Sequence, residues 1–429
     1  MHIRIFRDAL VLALVASTFA CSPVRSGSGS SRPAPDSLRL MGDIRYLASD
    51  ALGGRGTGTA GNDSAAAYVA RRYASLRLQA LSPGYLQHFT ARSAITAHAG
   101  GPAEMKTQNV VGYLPGNDPA LRGQVIVVGA HIDHLGRSPT GALDPDARDA
   151  IRNGADDNAS GTAGVLELAR LLSASPPRRS VLFVNFSGEE LGLLGSQYFV
   201  EHSPVPIDSM VAMLNFDMIG RLRGDSVVVY GVATATEMRA VLDSANTALG
   251  MTIRGVGDGF GPSDHSSFFA KGIPVLHFFT NLHDDYHRAT DDAEKINATG
   301  TARVVGLAEE VIRRIDARPS RLTFVRAAAP PTVSGARTGS NVYLGSIPDM
   351  AAGDAPGLRL TGVRAGSPAD SAGLKAGDVV VSLDAKPVSD LQTYSDALYA
   401  RQPGDVVEIV VLRGNERMTF KVKLGRRGS

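Results

Sequence analysis

The chain has 429 residues, of which 43% are hydrophobic and 20% are charged, and its net charge at pH 7 is +2. This is the composition of an ordinary globular protein, and the length predicts more than one domain. A net charge so close to zero gives no indication of binding to nucleic acid or to an acidic membrane surface.

The first residues have the pattern of an export signal. Arg4 and Arg7 precede an apolar run, residues 9–20, that is too short to span a bilayer and ends at Cys21, the only cysteine. This position resembles a bacterial lipoprotein cleavage site, where the thiol would be lipidated. We assign residues 1–21 to a signal peptide and expect a protein of the bacterial cell envelope, in the periplasm and lipid-anchored to the outer membrane. Cleavage to a secreted form is the alternative, and a lipid is the only membrane attachment expected.

A short linker and two helical segments come next. Residues 22–36 are rich in Ser, Gly and Pro and indicate a flexible linker. Apolar residues then recur at helical spacing between Leu38 and Leu76, on both sides of a glycine-rich stretch, residues 53–62 (GGRGTGTAGN). This stretch follows no predicted strand and lacks the P-loop lysine, so we reject phosphate binding.

The middle of the chain alternates between strands and helices. Four short apolar runs have the character of strands buried on both faces: Val125–Val128, Val181–Phe186, Val211–Phe216 and Ile273–Phe279. Residues Gly161–Leu172, between the first two runs, have the periodicity of an amphipathic helix. This order predicts an α/β domain over residues 37–320, with a mostly parallel central sheet flanked by helices.

The C-terminal part changes character. Residues 321–339 have the composition of a second linker. Short alternating segments follow, including Val406–Leu412 and Met418–Leu424, with glycine-containing turns beside them. They predict a separate small β-rich domain over residues 340–427.

Side chains able to bind metal follow each of the four predicted strands. They are His131 and Asp133, then Glu189 and Glu190, then Asp217, and finally His287; Asp157 precedes the predicted helix. Each residue alone has an ordinary explanation, such as a surface histidine, a solvated turn or a helix N-cap. Ligands bind outside the carboxyl ends of the strands in open α/β sheets, and the joint occurrence at these ends predicts one site.

The types of side chain indicate the metal. Two imidazoles and three carboxylates without a thiolate suit zinc, and also manganese, cobalt or nickel. Five ligands are too many for one four-coordinate catalytic zinc, which keeps an open position. They suit two ions about 3.5–4 Å apart that share one bridging carboxylate.

Six motifs resemble those of the zinc-dependent exopeptidase family of bacterial leucyl aminopeptidase and aminopeptidase S. The motifs are GAHIDH, GADDNASG, FSGEELGLLGS, NFDMIG, PSDHSSF and DYHRATDD, and the resemblance covers about residues 38–315. It implies a zinc exopeptidase (phosphorylase/hydrolase-like) fold and a co-catalytic two-zinc aminopeptidase acting on peptides with a free N-terminus.

The resemblance also implies a role for each site residue. His131 and Asp217 would bind one zinc, Glu190 and His287 the other, and Asp157 would bridge the two. Glu189 would be the general base that takes a proton from metal-bound water.

Three further residues would support this site. Asp133 would orient His131, because residues i and i+2 of an extended chain point the same way. Asp291 would orient His287 in the same manner. Tyr286 would donate a hydrogen bond to the developing oxyanion. His134, His277 and His283 are interpreted as structural.

The C-terminal domain resembles a bacterial PDZ domain. The resemblance rests on Val363–Leu383, on a loop at Tyr343-Leu344-Gly345 and on a helix-like stretch, Leu391–Tyr399. It implies binding of a peptide C-terminus or of an extended peptide. The alternative is a domain that only stabilises or shields the larger one.

Other functions remain open on the same residues. Glutaminyl cyclisation or carboxypeptidase-like trimming are alternative reactions. A catalytically inactive peptide-binding protein is the non-enzymatic alternative.

Overall fold

The structure is a computed structural model. It describes residues 32–93, 102, 104–139, 141–144, 147, 149–257, 259, 261, 263–326, 342–348, 356–363, 366–389, 393–394, 397–398, 400–414 and 416–426. The predicted signal peptide and most of both predicted linkers lie outside these ranges.

One large mixed sheet forms the centre of the region before Arg326. Its strands are β1 (Gln79–Ala80), β2 (Leu86–Arg92), β3 (Glu104–Leu114), β4 (Val125–His131), β5 (Ser180–Phe186), β6 (Met210–Phe216), β7 (Ser226–Tyr230), β8 (Thr252–Val256) and β9 (Val275–Phe279). The spatial order is β1-β3-β5-β4-β6-β9-β7-β8, with β2 also paired to β3.

The four predicted strands are β5, β4, β6 and β9, and they pair in parallel at the centre of the sheet. Every residue of β4, β5 and β6 is buried, as expected for continuous apolar runs covered on both faces. The predicted fold class is therefore confirmed. The antiparallel pairings of β3 with β5 and of β7 with β9 were not anticipated.

Helices cover both faces of this sheet. They are α1 (Ser37–Leu47), α2 (Ala60–Ser75), α3 (Gly161–Ala174), α4 (Leu194–Glu201), α5 (Met238–Asn246), α6 (His265–Ala270) and α7 (Ala298–Ala317). Single turns lie at Asp50–Arg55, Pro83–Tyr85, Ala155–Ser160, Ile207–Ser209 and Ala293–Lys295. Alternate residues of β4 face opposite layers: Ile126 joins the core with α1, α2, α3, α5 and α7, whereas Val127 joins the core with α4 and α6.

The ends of this region extend into both predicted linkers. Asp36 caps α1 by accepting hydrogen bonds from the backbone N–H groups of Leu38 and Arg39. At the other end, Thr323 donates its backbone N–H to Glu237 at 2.9 Å. The folded region therefore begins before residue 37 and continues past residue 320. In the part of the chain that is described, no helix has both the length and the apolar character needed to cross a membrane.

The C-terminal region is a small antiparallel β structure with its own core. It contains β10 (Val342–Tyr343), β11 (Ser346–Pro348), β12 (Leu358–Val363), α8 (Pro368–Ala372), β13 (Val379–Leu383), β14 (Lys386–Pro387), β15 (Val406–Arg413), β16 (Glu416–Lys423) and β17 (Gly425–Arg426). The order β11-β12-β13-β15-β16 forms one sheet, as the alternating pattern predicted, and β10 pairs with β17. Most of the predicted helix Leu391–Tyr399 lies outside the described residues.

Candidate metal centre

The parallel strands bring the predicted ligands together at one edge of the sheet. His131 is the last residue of β4, and Asp217 directly follows β6. Glu190 follows β5 after a short turn, and His287 follows β9 after a longer loop. Asp157 lies in the turn Ala155–Ser160 that leads into α3.

The first cluster comprises His131, Asp157 and Asp217. The Nε2 atom of His131 lies 3.4 Å from Oδ1 of Asp157 and 3.4 Å from Oδ1 of Asp217. Tetrahedral zinc with ligand bonds of about 2.0–2.1 Å separates its ligand atoms by about 3.3–3.4 Å. The three atoms therefore have the spacing of ligands around one ion.

The second cluster comprises His287, Asp157 and Glu190. The Nε2 atom of His287 lies 3.1 Å from Oδ2 of Asp157 and 3.3 Å from Oε2 of Glu190. These separations are again close to those of a tetrahedral ion. Asp157 thus presents one oxygen to each cluster, which is the arrangement expected of a bridging carboxylate.

His134 competes with His287 for a place in the second cluster. It forms a compact group with Asp157 and Glu190, and its side chain is fully buried. However, its Nδ1 lies only 2.7 Å from Oε1 of Glu190, which is a hydrogen-bond distance and too short for two ligands of one zinc. His287 therefore remains the predicted ligand, and His134 is a hydrogen-bond partner of Glu190, a contact that no sequence pattern indicated.

Each of the two predicted ligand histidines has a backbone carbonyl beside Nδ1, a contact that favours the tautomer suited to metal binding. His131 Nδ1 lies 3.0 Å from the carbonyl oxygen of Asp133, and His287 Nδ1 lies 3.0 Å from the carbonyl oxygen of Gly141. A ring that donates Nδ1–H to a carbonyl leaves its Nε2 lone pair free for a cation. In addition, Oδ1 of Asp217 is buried and has no hydrogen-bond partner among the described residues. The donor set therefore fits a pair of divalent ions.

The carboxylate of Asp133 does not orient His131. Its Oδ1 lies 3.8 Å from the ring, beyond hydrogen-bonding distance, and the backbone carbonyl makes the contact instead. The i, i+2 argument is wrong here because β4 ends at His131, so the alternation of an extended strand does not continue to Asp133. The Asp133 carboxylate accepts hydrogen bonds from the backbone N–H of Glu189 at 3.2 Å and from the hydroxyl of Thr57 at 2.8 Å.

Asp291 also has a different contact from the predicted one. Its Oδ2 accepts hydrogen bonds from the backbone N–H groups of Asp156 at 2.8 Å and Asp157 at 3.1 Å. The partner of the His287 ring is the Gly141 carbonyl, so the prediction that Asp291 orients His287 is wrong. Asp291 instead fixes the turn that carries Asp157.

Glu189 lies beside the clusters without belonging to either. Its Oε2 is 4.0 Å from Nε2 of His131, and its side chain is 11% exposed. Burial, reinforced by the neighbouring charges of Glu190 and Asp264, raises the pKa of Glu189 well above its usual value. This carboxylate is therefore placed next to the ligands and is a stronger base than an exposed one.

The ligands have strongly perturbed pKa values. Burial opposes the charged form of His131, but the surrounding carboxylates, Asp217 first, outweigh it and raise the pKa of the ring well above normal. Burial likewise opposes ionisation of Glu190, and His287 outweighs it and lowers the pKa of Glu190 to about 2. Three carboxylates around two imidazoles form an acid-rich pocket that suits cations.

Other predicted residues occupy the surroundings. Tyr286 stacks on His287 with ring centroids 3.9 Å apart, and burial raises the pKa of its hydroxyl well above normal, so the hydroxyl keeps its proton. Its role toward an oxyanion stays a prediction. His277 is buried and its Nδ1 lies 3.2 Å from the amide of Asn215, consistent with a structural role. His283 lies 3.2 Å from the carboxylate of Asp156.

The sequence matches two family models. Residues 109–312 match the model of peptidase family M28, and residues 335–424 match a PDZ domain model. Leupeptin-inactivating enzyme 1 of Streptomyces exfoliatus is 28% identical over 298 residues, which are 67% of this chain and 60% of the relative. Aminopeptidase YwaD of Bacillus subtilis is 29% identical over 201 residues, 44% of this chain and 41% of the relative. The chain therefore spans about half of the length of these relatives.

Solved structures support the fold. An aminopeptidase from Aneurinibacillus sp. strain AM-1 superposes with a TM-score of 0.55 at 17% identity, over 68% of this chain and 97% of the other. A zinc aminopeptidase from Bacillus subtilis superposes with a TM-score of 0.53 at 18% identity, over 66% and 95%. Residues 109–312, which carry the candidate metal centre described above, are thus similar to peptidase family M28, and the region that follows them is similar to PDZ domains.

Proposed function

We propose that the protein is an exported two-zinc aminopeptidase that removes N-terminal residues from peptides. The observation that carries this proposal is the pair of clusters sharing Asp157, one oxygen facing His131 and the other facing His287. The names of the relatives, an aminopeptidase and an enzyme that inactivates leupeptin, agree with a peptide substrate.

Each residue of the centre has a distinct part in this chemistry. His131 and Asp217 would hold one ion, His287 and Glu190 the other, and Asp157 both. Two such ions polarise a carbonyl group and lower the pKa of water. Glu189, next to His131, accepts the proton of the attacking water and returns it to the leaving amine. Tyr286 is buried and protonated, so its hydroxyl can donate to the oxygen on which charge develops.

Substitution of the general base tests this proposal. In Glu189→Gln we expect hydrolysis of aminoacyl-anilides to fall by about 10²–10⁴-fold, because the amide cannot accept the proton. Zinc content should stay at the wild-type value, since Glu189 is outside both clusters. Glu201→Gln, on an exposed residue, is the matched control. Wild-type rates in Glu189→Gln would exclude the assigned mechanism.

Removal of the metal provides an independent test. Chelation should abolish hydrolysis, and added zinc should restore it. Purified protein without bound metal, and without uptake of added zinc, would support the alternative of an inactive peptide-binding protein.

Substrates with modified ends separate the remaining reactions. An aminopeptidase cleaves a peptide with a free N-terminus and leaves its N-acetylated form intact. Cyclisation of an N-terminal glutamine without release of a residue would support a glutaminyl cyclase. Release of the C-terminal residue from the acetylated peptide would support a carboxypeptidase-like enzyme.

The PDZ domain would bind a peptide C-terminus or an extended peptide. Leu344 is buried, and Gly345 has a φ of +81°, a backbone conformation that suits a turn beside a ligand. A fluorescent peptide with a free C-terminus should bind the full chain more tightly than its amidated form. Equal weak binding of both would favour a domain that only stabilises or shields the peptidase.

Export would depend on the signal at residues 1–21, with lipidation at Cys21 as the proposed anchor. Metabolic labelling with a palmitate analogue should mark the wild type and leave Cys21→Ala unmarked. Unlabelled protein in both cases would favour a secreted form.

A further inference from the structure

The glycine-rich loop, defined here as residues 53–57, lies against the chain segment that follows β4. Gly56 forms a parallel bridge with His134, and the Gly54 carbonyl accepts a hydrogen bond from the N–H of Gly136 at 3.0 Å. Gly54 has a φ of +73°, and a Cβ there would lie 2.2 Å from the carbonyl oxygen of Arg152. The position therefore requires glycine, and the loop is packed tightly beside the metal centre.

Arg55 extends from this loop into the interior. Its side chain is fully buried, and in the described part of the chain its guanidinium donates hydrogen bonds only to backbone carbonyls. Nε donates to Ile132 at 2.9 Å, Nη1 to Leu47 at 2.5 Å and to Asn153 at 2.7 Å, and Nη2 to Gly154 at 3.0 Å. Among the described residues no carboxylate lies within ion-pair distance of it.

These acceptors are the chain segments that carry metal ligands. Ile132 directly follows His131, and Gly154 precedes the turn that carries Asp157. A planar guanidinium that binds both segments fixes the distance between them, because its donors have a rigid geometry. Arg55 thus connects the segments that carry two ligands of the first cluster, His131 and Asp157.

Thr57 makes a second connection from the same loop. Its hydroxyl donates to Oδ2 of Asp133 at 2.8 Å, while Oδ1 of Asp133 accepts the backbone N–H of Glu189 at 3.2 Å. The loop therefore contacts the segment after β4 and, through Asp133, the turn that carries Glu189 and Glu190.

The charge of Arg55 also suits this position. Burial lowers the pKa of its guanidinium to about 10, and the charges of Asp157, Asp133, Asp291 and Glu190 oppose that shift. Arg55 is therefore charged at neutral pH and lies among acids that would repel one another without a cation.

We infer that Arg55, assisted by Thr57, is a positioning residue that holds the metal ligands in binding geometry before any ion is present. This inference rests on the proposed two-metal function. It predicts that a defect in the loop weakens metal binding itself, beyond any loss of fold stability.

The test measures zinc affinity by competition with a chromophoric chelator, and thermal unfolding of the metal-free protein. Arg55→Lys keeps the positive charge but loses the planar set of guanidinium donors, so we expect zinc binding about 10–100-fold weaker than in the wild type. Thr57→Val removes one hydrogen bond from a partly exposed residue, and we expect about fivefold weaker binding.

Arg179→Lys is the matched control. Arg179 is also fully buried, and its Nη1 donates to backbone carbonyls of Ile315, Asp316 and Arg318, away from every proposed ligand. We expect this variant to unfold at a lower temperature and to bind zinc within about twofold of the wild type, because no ligand segment is disturbed.

The outcomes separate the inference from the proposed function. Wild-type zinc affinity in Arg55→Lys, with a loss of thermal stability equal to that of Arg179→Lys, would make Arg55 a purely structural residue and overturn the inference. If Arg55→Lys does not fold, the zinc affinity of Thr57→Val tests the inference instead. An affinity equal to that of the wild type would then overturn it. Failure of the wild type to bind zinc would instead overturn the proposed function.

Discussion

The two clusters of the metal centre are built on different kinds of structure. In the first, His131 ends a buried strand and Asp217 directly follows another. In the second, Glu190 lies in a turn and His287 lies in a loop with a left-handed φ of +54°. Side chains on rigid elements keep their geometry better than side chains on loops. The first cluster is therefore expected to bind its ion more tightly.

The clusters also differ in what supports their acids. Ser263 donates its hydroxyl to Oδ2 of Asp217 at 2.9 Å, whereas His134 holds Oε1 of Glu190 at 2.7 Å. In each case one oxygen is occupied by a neighbour and the other faces the ligand histidine. The two hydrogen-bond partners are equivalent in position but differ in type, since a buried imidazole contacts Glu190 and a hydroxyl contacts Asp217.

Substitution of Asp157, the acid that the two clusters share, should affect both clusters equally. In Asp157→Asn we expect both ions to be lost, because each cluster loses the same negative ligand. Elemental analysis should then show a fall from two zinc ions per chain to none. Asp284→Asn, at an exposed position of the loop that carries His287, should keep both ions. Retention of one full equivalent in Asp157→Asn would mean that Asp157 serves a single ion.

Substitution of a ligand that belongs to only one cluster should distinguish the zinc affinities of the two clusters. We expect His287→Ala to keep one zinc ion at close to its wild-type affinity, because the first cluster does not depend on the loop. His131→Ala should lose the tighter ion and retain only the weaker one. Competition titrations with chelators of graded strength measure both. Equal affinities of the remaining ion in the two variants would contradict the proposed order.

Substitution of His134 or Ser263, which form hydrogen bonds to the ligand acids, should have the smallest effects on zinc affinity. We expect His134→Ala to weaken the second ion about tenfold, and Ser263→Ala to weaken the first ion less than that. His134→Asn should restore most of the affinity, because its amide nitrogen stands where Nδ1 stood. If His134 were instead a metal ligand, Asn would rescue poorly and the stoichiometry would fall.

Much of this arrangement could be predicted from the sequence. Continuous apolar runs identified β4, β5, β6 and β9, and their carboxyl ends meet wherever such strands are parallel. The ligands that directly follow these strands were therefore predictable. His131 and Asp217 lie at this edge of the sheet as expected, because no loop separates either residue from its strand.

The contacts around the ligands were not predictable in the same way. Asp133 and Asp291 were both assigned to histidine rings, and both instead accept hydrogen bonds from backbone N–H groups. Side-chain direction beyond the end of a strand depends on how the chain bends, and no periodicity records that. The contacts of Arg55, and of His134, which was interpreted as structural, were not anticipated for a related reason, since a single polar residue that contacts a distant segment leaves no pattern along the chain.

The double role proposed for Asp157 would also limit how this site can change over evolutionary time. Loss of His287 or of Asp217 removes a ligand from one cluster only, so a descendant with a single ion is one substitution away. Loss of Asp157 damages both clusters at once and offers no intermediate state with one intact ion. Among descendants of this chain that keep only one metal, Asp157 should be the acid that persists.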